Sequence, residues 1–272
     1  MKWKVVAAGF VALFWTAHPA VAQTDFYNTD KGRPIEIEDA YPTERYAFEA
    51  QLAPVRLERA DGGIYSWGVE PELTYGLFPR THLEVGLPLA FIDQGPLGRR
   101  SGLAGIDVSV LHNLNVETAS LPAFGILGEV LLPVGGLAPE RTYFSVKGIA
   151  TRTYSWARFH LNGQYTFGSQ AGTVGTSSVQ VLSRWMAGIA VDKTYPLRSM
   201  LVTADLFVRQ PLPTTEDVEL NAGAGLRYQL SPRFAVDAGL GRRLTGADQG
   251  WFVTFGSAFA FGIRGLIPVP RQ

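Results

Sequence analysis

The stretch "YSWGVEPELTYGLF", residues 65–78, decides the fold class. Its odd positions are Tyr65, Trp67, Val69, Pro71, Leu73, Tyr75 and Leu77, and its even positions are Ser66, Gly68, Glu70, Glu72, Thr74 and Gly76. Side chains of a strand alternate between two faces. One face here is wholly apolar, and the other holds two carboxylates at mid-strand. A wall separating lipid from a polar interior has this character, because its lipid side is uniformly apolar.

The same period continues along the chain. Leu83, Val85, Leu87, Leu89 and Phe91 oppose His82 and Glu84, and Phe159, Leu161, Tyr165 and Phe167 oppose Arg158, His160, Asn162 and Gln164. Two segments are less regular. The apolar parity flips at Pro54, which predicts a bulge there. Arg152 falls on the apolar parity beside a turn, where a long side chain can snorkel toward polar surroundings. Counting the closing segment Trp251–Ile263, the pattern predicts twelve strands.

The connections alternate between tight ones, such as "FPRT", "SWA" and "LSPR", and longer ones such as "DQGPLGRRSG" (93–102) and "SQAGTVGTSS" (169–178). Aromatic residues gather toward both ends of the apolar band. Short turns on one side, longer loops on the other and two aromatic girdles are the marks of an outer-membrane barrel. A soluble β-sandwich also alternates, but its polar face meets water and carries many lysines. Here nearly all basic residues are arginine, mixed with acids on the polar parity. The expected fold is therefore all-β, a transmembrane antiparallel up-and-down barrel.

Composition narrows the function classes. There is no cysteine, which excludes disulfides and thiolate metal sites. Basic and acidic residues balance at 24 each, so no basic footprint for nucleic acid exists. The first residues, "MKWKVVAAGFVALFWTAHPAVAQ", combine Lys2 and Lys4, an apolar run and Ala20-Val21-Ala22, which reads as a cleaved signal peptide over 1–22. Its removal leaves 22 basic against 24 acidic residues, a net charge of −2. Residues 23–42 are expected as a flexible periplasmic lead-in, with a lumen plug or a partner-binding segment as alternatives. The barrel is expected over 43–266, with a short tail over 267–272.

At "RPIEIEDAYP", "RFHLNGQYTFG" and "LRYQLSPRFAVDAGLGRRLTG" the sequence resembles an outer-membrane β-barrel family labelled "putative transporter" of the meta-pathway of phenol degradation. The resemblance implies a monomeric outer-membrane barrel that takes up aromatic or other small compounds. It supplies no catalytic residues.

The polar parity places Glu49, Glu70, Glu72, Glu84, Asp107, Glu129, Lys147, Arg158, His160, Arg184, Asp205, Arg209, Arg227, Asp237 and Arg243 along the expected pore. Acids fall mainly on the first five strands and arginines on the seventh to eleventh, so opposed walls would set a transverse field across a lumen. The leading expectation is a passive channel for small solutes, aromatic or hydrophobic compounds among them. A structural or adhesion barrel whose charges pair and fill the interior is the alternative. A lipid-modifying enzyme built on His160 and Asn162 is a second one, although no G-x-S-x-G elbow accompanies them. No cofactor or metal is expected, since the three histidines beyond the leader show no ligand spacing.

"TFGSAFAFG", residues 254–262, is the last alternating segment. Thr254, Gly256, Phe259 and Phe261 match the loose pattern polar-x-Gly-x-x-apolar-x-aromatic, read as a signal for the barrel-assembly machinery on a final strand. The expected partners are thus outer-membrane lipid, that machinery and a small solute.

Overall fold

The computed structural model describes residues 28–59, 65–93, 98–168, 182–212, 217–245 and 249–263, with backbone alone at 53–55. The expected leader 1–22, the tail 267–272 and the loop 169–178 lie outside the described residues.

Fourteen strand segments follow one another: β1 (Phe48–Arg59), β2 (Tyr65–Phe78), β3 (Thr81–Gly86), β4 (Leu89–Asp93), β5 (Arg99–Leu103), β6 (Ile106–Asn113), β7 (Ala123–Leu132), β8 (Tyr143–Thr153), β9 (Arg158–Phe167), β10 (Ser183–Thr194), β11 (Met200–Pro211), β12 (Glu219–Ser231), β13 (Phe234–Arg243) and β14 (Trp251–Phe261). All pairings between them are antiparallel. β1 pairs with β2 on one side and β14 on the other, from Phe48↔Phe261 to Arg59↔Trp251, which closes the barrel. Closure gives nearly every strand segment a partner on both sides, the condition for backbone polar groups in lipid; among the described residues β5 alone has a single strand partner, β4.

Fourteen segments make twelve barrel strands. β3 and β4 pair with successive stretches of β2, and β6 and β5 continue that order. The two broken strands are interrupted at Leu87–Pro88 and Ala104–Gly105. Pro88 has no N–H to give to a ladder, while its carbonyl accepts from Ala104 N–H at 2.8 Å. The strand expected to run unbroken through Leu83–Phe91 is therefore broken at its proline. The segment 93–102, expected as a connection, also contains most of β5, where Asp93↔Arg99 is both a register pair and an ion pair at 2.8 Å. β1 shifts register against both neighbours between Gln51 and Val55, at the bulge expected at Pro54. Arg152 donates to the carbonyls of Thr118 and Ala119 in the adjacent turn.

Burial is inverted relative to a water-soluble protein. Leu240 is 65% exposed and Leu161 59% on the outside of the wall, while Lys147 (0%), Arg227 (1%) and His160 (1%) are buried inside. A contiguous apolar surface of this extent facing outward requires lipid against it.

Residues 28–42 run inside this wall. Arg33, Ile35, Ile37, Asp39 and Ala40 are buried there. This departs from the flexible lead-in expected for 23–42: among the described residues, 28–42 fill the lumen. The reason is chemical. A polar twelve-strand interior must satisfy its charges, and this segment brings backbone and side-chain partners to them.

Candidate functional site: an occupied lumen

The lumenal segment is a folded hairpin-like loop. Asp39 N–H donates to Thr29 O at 3.3 Å, and Thr29 N–H returns a bond to Asp39 Oδ2 at 3.1 Å. Asn28 Nδ2 donates to Tyr41 O at 3.2 Å, so the two legs begin and end together. Tyr41 OH donates to Glu117 Oε2 at 2.9 Å in the turn between β6 and β7, and Thr43 N–H donates to His82 Nδ1 at 3.1 Å. Both contacts lie at the tight-turn end of the barrel, so the loop enters and returns there.

Its tip is held by wall side chains acting as backbone partners. Glu36 N–H donates to Asp205 Oδ2 at 2.8 Å. Asn162 uses both halves of its amide on one residue, accepting from Glu38 N–H at 3.1 Å and donating to Glu38 O at 2.8 Å. Ala40 is clasped the same way, by Thr151 Oγ1 at 3.0 Å and Asn113 Nδ2 at 2.9 Å. Ile35 and Ile37 pack against Met186, Ala190 and Phe207 on the inner face of β10 and β11.

The loop is also charge-complementary to the wall. Its cations meet acids: Lys31 Nζ lies 2.8 Å from Glu129, and Arg33 lies 3.0 Å from Asp237 and 4.0 Å from Glu49. Its acids meet bases: Glu38 pairs with Lys147, and Asp39 lies 3.8 Å from Arg158. Burial alone would lower the Lys31 ammonium, but Glu129 and Asp107 reverse this and hold it well above the usual lysine range. Burial pushes the Asp39 carboxyl up to about 8, against the opposing pull of Arg158 and of the Tyr41 and Thr29 N–H groups. Burial would also raise Glu117, yet the Thr153 N–H and hydroxyl, the Tyr41 hydroxyl and Arg152 bring it below the usual carboxylate range.

The remaining expected lumen residues sort by height. Near the longer loops, Arg209 contacts Glu219 at 2.6 Å, and Arg243 contacts Glu219 at 3.1 Å and Glu58 at 3.5 Å. Arg227 binds Asn28 O and reaches Asp30 at 3.3 Å. Glu70, Glu72, Glu84, Asp107 and Glu129 line one cavity beside the loop, with about 100 Å³ of water-accessible space. Arg184 departs from its expected place. The register shifts between Ser183 and Trp185, and the bulged Arg184 donates to Thr166 O and Gly168 O while Ser183 takes the inward position.

His160 sits in a hydroxyl–imidazole–carboxylate chain, 3.0 Å from Thr151 Oγ1 and 2.9 Å from Asp192, which Arg158 also grips through two bonds. Thr151 is fully buried, and its oxygen already accepts from Ala40 N–H. This chain seats the loop and presents no nucleophile to a substrate. On β14, Thr254 is fully buried and donates to Pro34 O at 3.2 Å. Gly256 lies opposite Asp237 on β13, Phe259 pairs with Ala50 across the seam, and the Phe261 ring stacks on Phe48 with centroids 5.4 Å apart.

The sequence of residues 60–261 matches the family described as "Putative MetA-pathway of phenol degradation". The chain belongs to this family of outer-membrane β-barrels. Among solved structures it is similar to an outer membrane channel from Pseudomonas putida F1, at 15% identity and TM-score 0.58, covering 86% of this chain and all of that one. It is also similar to the β domain of the Bordetella autotransporter BrkA, at 11% identity and TM-score 0.51, covering 79% and 99%. These likenesses concern the fold. No curated protein matches the chain.

Proposed function

We propose that the chain is an outer-membrane channel for passive passage of small solutes, constricted by its own N-terminal hairpin. One observation carries this reading. The twelve-strand wall encloses enough width to admit a folded segment of some fourteen residues, Asn28 to Tyr41, and water-accessible space remains beside it. A barrel of this strand number lies between filled eight-strand and open sixteen-strand cases. Here part of the filling is a tethered segment that reaches the lumen from one end.

The family's connection with phenol degradation supports small aromatic compounds as the solutes. The cavity supplies apolar contacts from Leu111, Leu127, Met186 and Phe207 together with its carboxylates. A ring bearing one polar group fits such a mixed lining.

Planar-bilayer recording of the refolded full chain and of a variant lacking residues 28–42 tests the proposal. The full chain should show low or intermittent conductance, and the deletion should raise it severalfold. If both stay silent while migrating as heat-modifiable folded barrels, the interior is closed without the hairpin, and a non-conducting structural barrel replaces the channel.

A further inference from the structure

The acid-lined side of the lumen contains a feature that wall stability does not explain. Ser109 on β6 lies directly between Glu84 on β3 and Glu129 on β7 in register. It is 6% exposed and lines the cavity, yet its hydroxyl has no hydrogen-bond partner. An unsatisfied buried hydroxyl costs about as much as a lost hydrogen bond, so native structures seldom retain one without a use for it.

Gly86 lies two pairs away, on the same face. It is opposite Glu72 on one side and Asp107 on the other. A Cβ at this position would approach Glu70 Oε1 to 2.9 Å, Asp107 Cβ to 3.4 Å and Glu72 Cγ to 3.5 Å. The missing side chain thus leaves a recess ringed by three carboxylates. Among the described residues no group of His, Asp and Glu side chains is arranged to hold a metal ion. Acceptors spread around a recess suit a donor with several N–H bonds better than a bare cation needing a tight shell.

The structure already shows such a donor there. The Lys31 ammonium lies 2.8 Å from Glu129, and its side chain, 37% exposed, borders the cavity. It is held by a loop and not by the wall, so it can leave without breaking the strand ladder.

We propose that this cavity is a binding site for the primary ammonium group of a small solute, and that Lys31 is its intramolecular occupant. The entering amine takes the place of the lysine head, with Glu129, Ser109 and the carboxylates around the recess at Gly86 as acceptors. Leu111 and Leu127 border the same cavity and can contact a hydrocarbon or ring attached to the amine. The proposed channel matters to this site only as the route by which the solute arrives.

Titration calorimetry of the refolded full chain in detergent tests it, with benzylammonium chloride as probe and benzyl alcohol and benzoate as controls. Wild type should bind the amine in preference to both controls. Lys31→Met should bind it roughly tenfold more tightly, because a tethered competitor at high effective concentration is gone. Ser109→Ala should weaken binding about fivefold, the effect of one hydrogen bond. Equal heats for benzylammonium and benzyl alcohol, or no binding to either protein, overturn the site. Should Lys31→Met fail to fold, the wild-type preference for the amine and its fivefold weaker binding in Ser109→Ala still decide the matter. Bilayer conductance of the same samples reports separately. Amine binding without conductance keeps the site and removes the channel, whereas conductance without amine preference does the reverse.

Discussion

A methyl group at position 239 has nowhere to go. A Cβ there would overlap the Pro34 carbonyl and come within 2.7 Å of Thr254 Oγ1, so wall and hairpin share one surface at this point. Gly188 is similar, with a Cβ expected 2.5 Å from Ile37 Cδ1. Since Pro34 belongs to a loop and Thr254 to the ladder, the loop should yield. Gly239→Ala is therefore expected to leave heat-modifiable migration intact and to raise bilayer conductance toward that of the variant lacking 28–42. Unchanged conductance would mean that the wall gives way instead. The pair Lys147–Glu38 makes a second case. Lys147 is fully buried, and Lys147→Met leaves a carboxylate without its cation, a change that costs about 3–5 kcal/mol where the remaining charge cannot escape. Here Glu38 can leave with the hairpin, so the measured loss is capped by the docking free energy of the loop. Denaturant titration should show Lys147→Met reduced, and Lys147→Met/Glu38→Gln partly restored. If the double variant is as weak as the single, the two residues do not act as a pair.

At the scale of elements, the hairpin responds to pH from two directions. Glu117 holds Tyr41 and sits below its usual range, so its contribution is present above the ordinary carboxylate value and fades as pH falls below about 4. Asp39 is raised to about 8, so docking favours its protonated form. That contribution is complete below about pH 4 and is lost as pH climbs through 8. The hairpin should dock most firmly in mildly acidic solution, and conductance should rise toward alkaline pH; Asp39→Asn should flatten the alkaline limb. A conductance that falls between pH 6 and 9 would contradict the assignment. The hairpin is also the element hardest to find in the sequence. Residues 28–41 follow no single period, and most of their partners on the wall lie from about 70 to more than 200 positions away, as with Ala40 and Asn113 or Pro34 and Thr254. A signal was nevertheless present on the wall. Met186 and Phe207 are apolar residues on the polar parity of β10 and β11, and they face Ile35 and Ile37. A polar inner face needs such residues only if something apolar stands inside it.

At the scale of the whole molecule, the wall was legible because one physical rule repeats in every strand: apolar toward lipid, polar toward the lumen. The rule failed where backbone chemistry interrupts it, at Pro88 and Gly105 and at the bulges near Pro54 and Arg184, and where the hairpin draws apolar residues to the inner face, at Met186 and Phe207. The charge walls were legible residue by residue, but their neutralisation was not, because Lys31, Arg33 and Glu38 lie outside any strand. The lipid-facing reading itself can be tested at Leu161, which is 59% exposed at the middle of β9 and paired with Ile189 and Ala150. On a water-soluble sheet Leu161→Arg would be harmless, since the side chain already meets solvent and arginine is better hydrated. In a bilayer the same change places a guanidinium near the midplane and should cost about 2–4 kcal/mol, falling toward zero at the rims. Urea titration of folding into phosphatidylcholine vesicles measures the difference, with Leu161→Ala as the control. Leu161→Ala should lose less than Leu161→Arg, because it forfeits contact with lipid and not a packed core. Equal stability of Leu161→Arg and wild type would place this face against water and remove the membrane from the account.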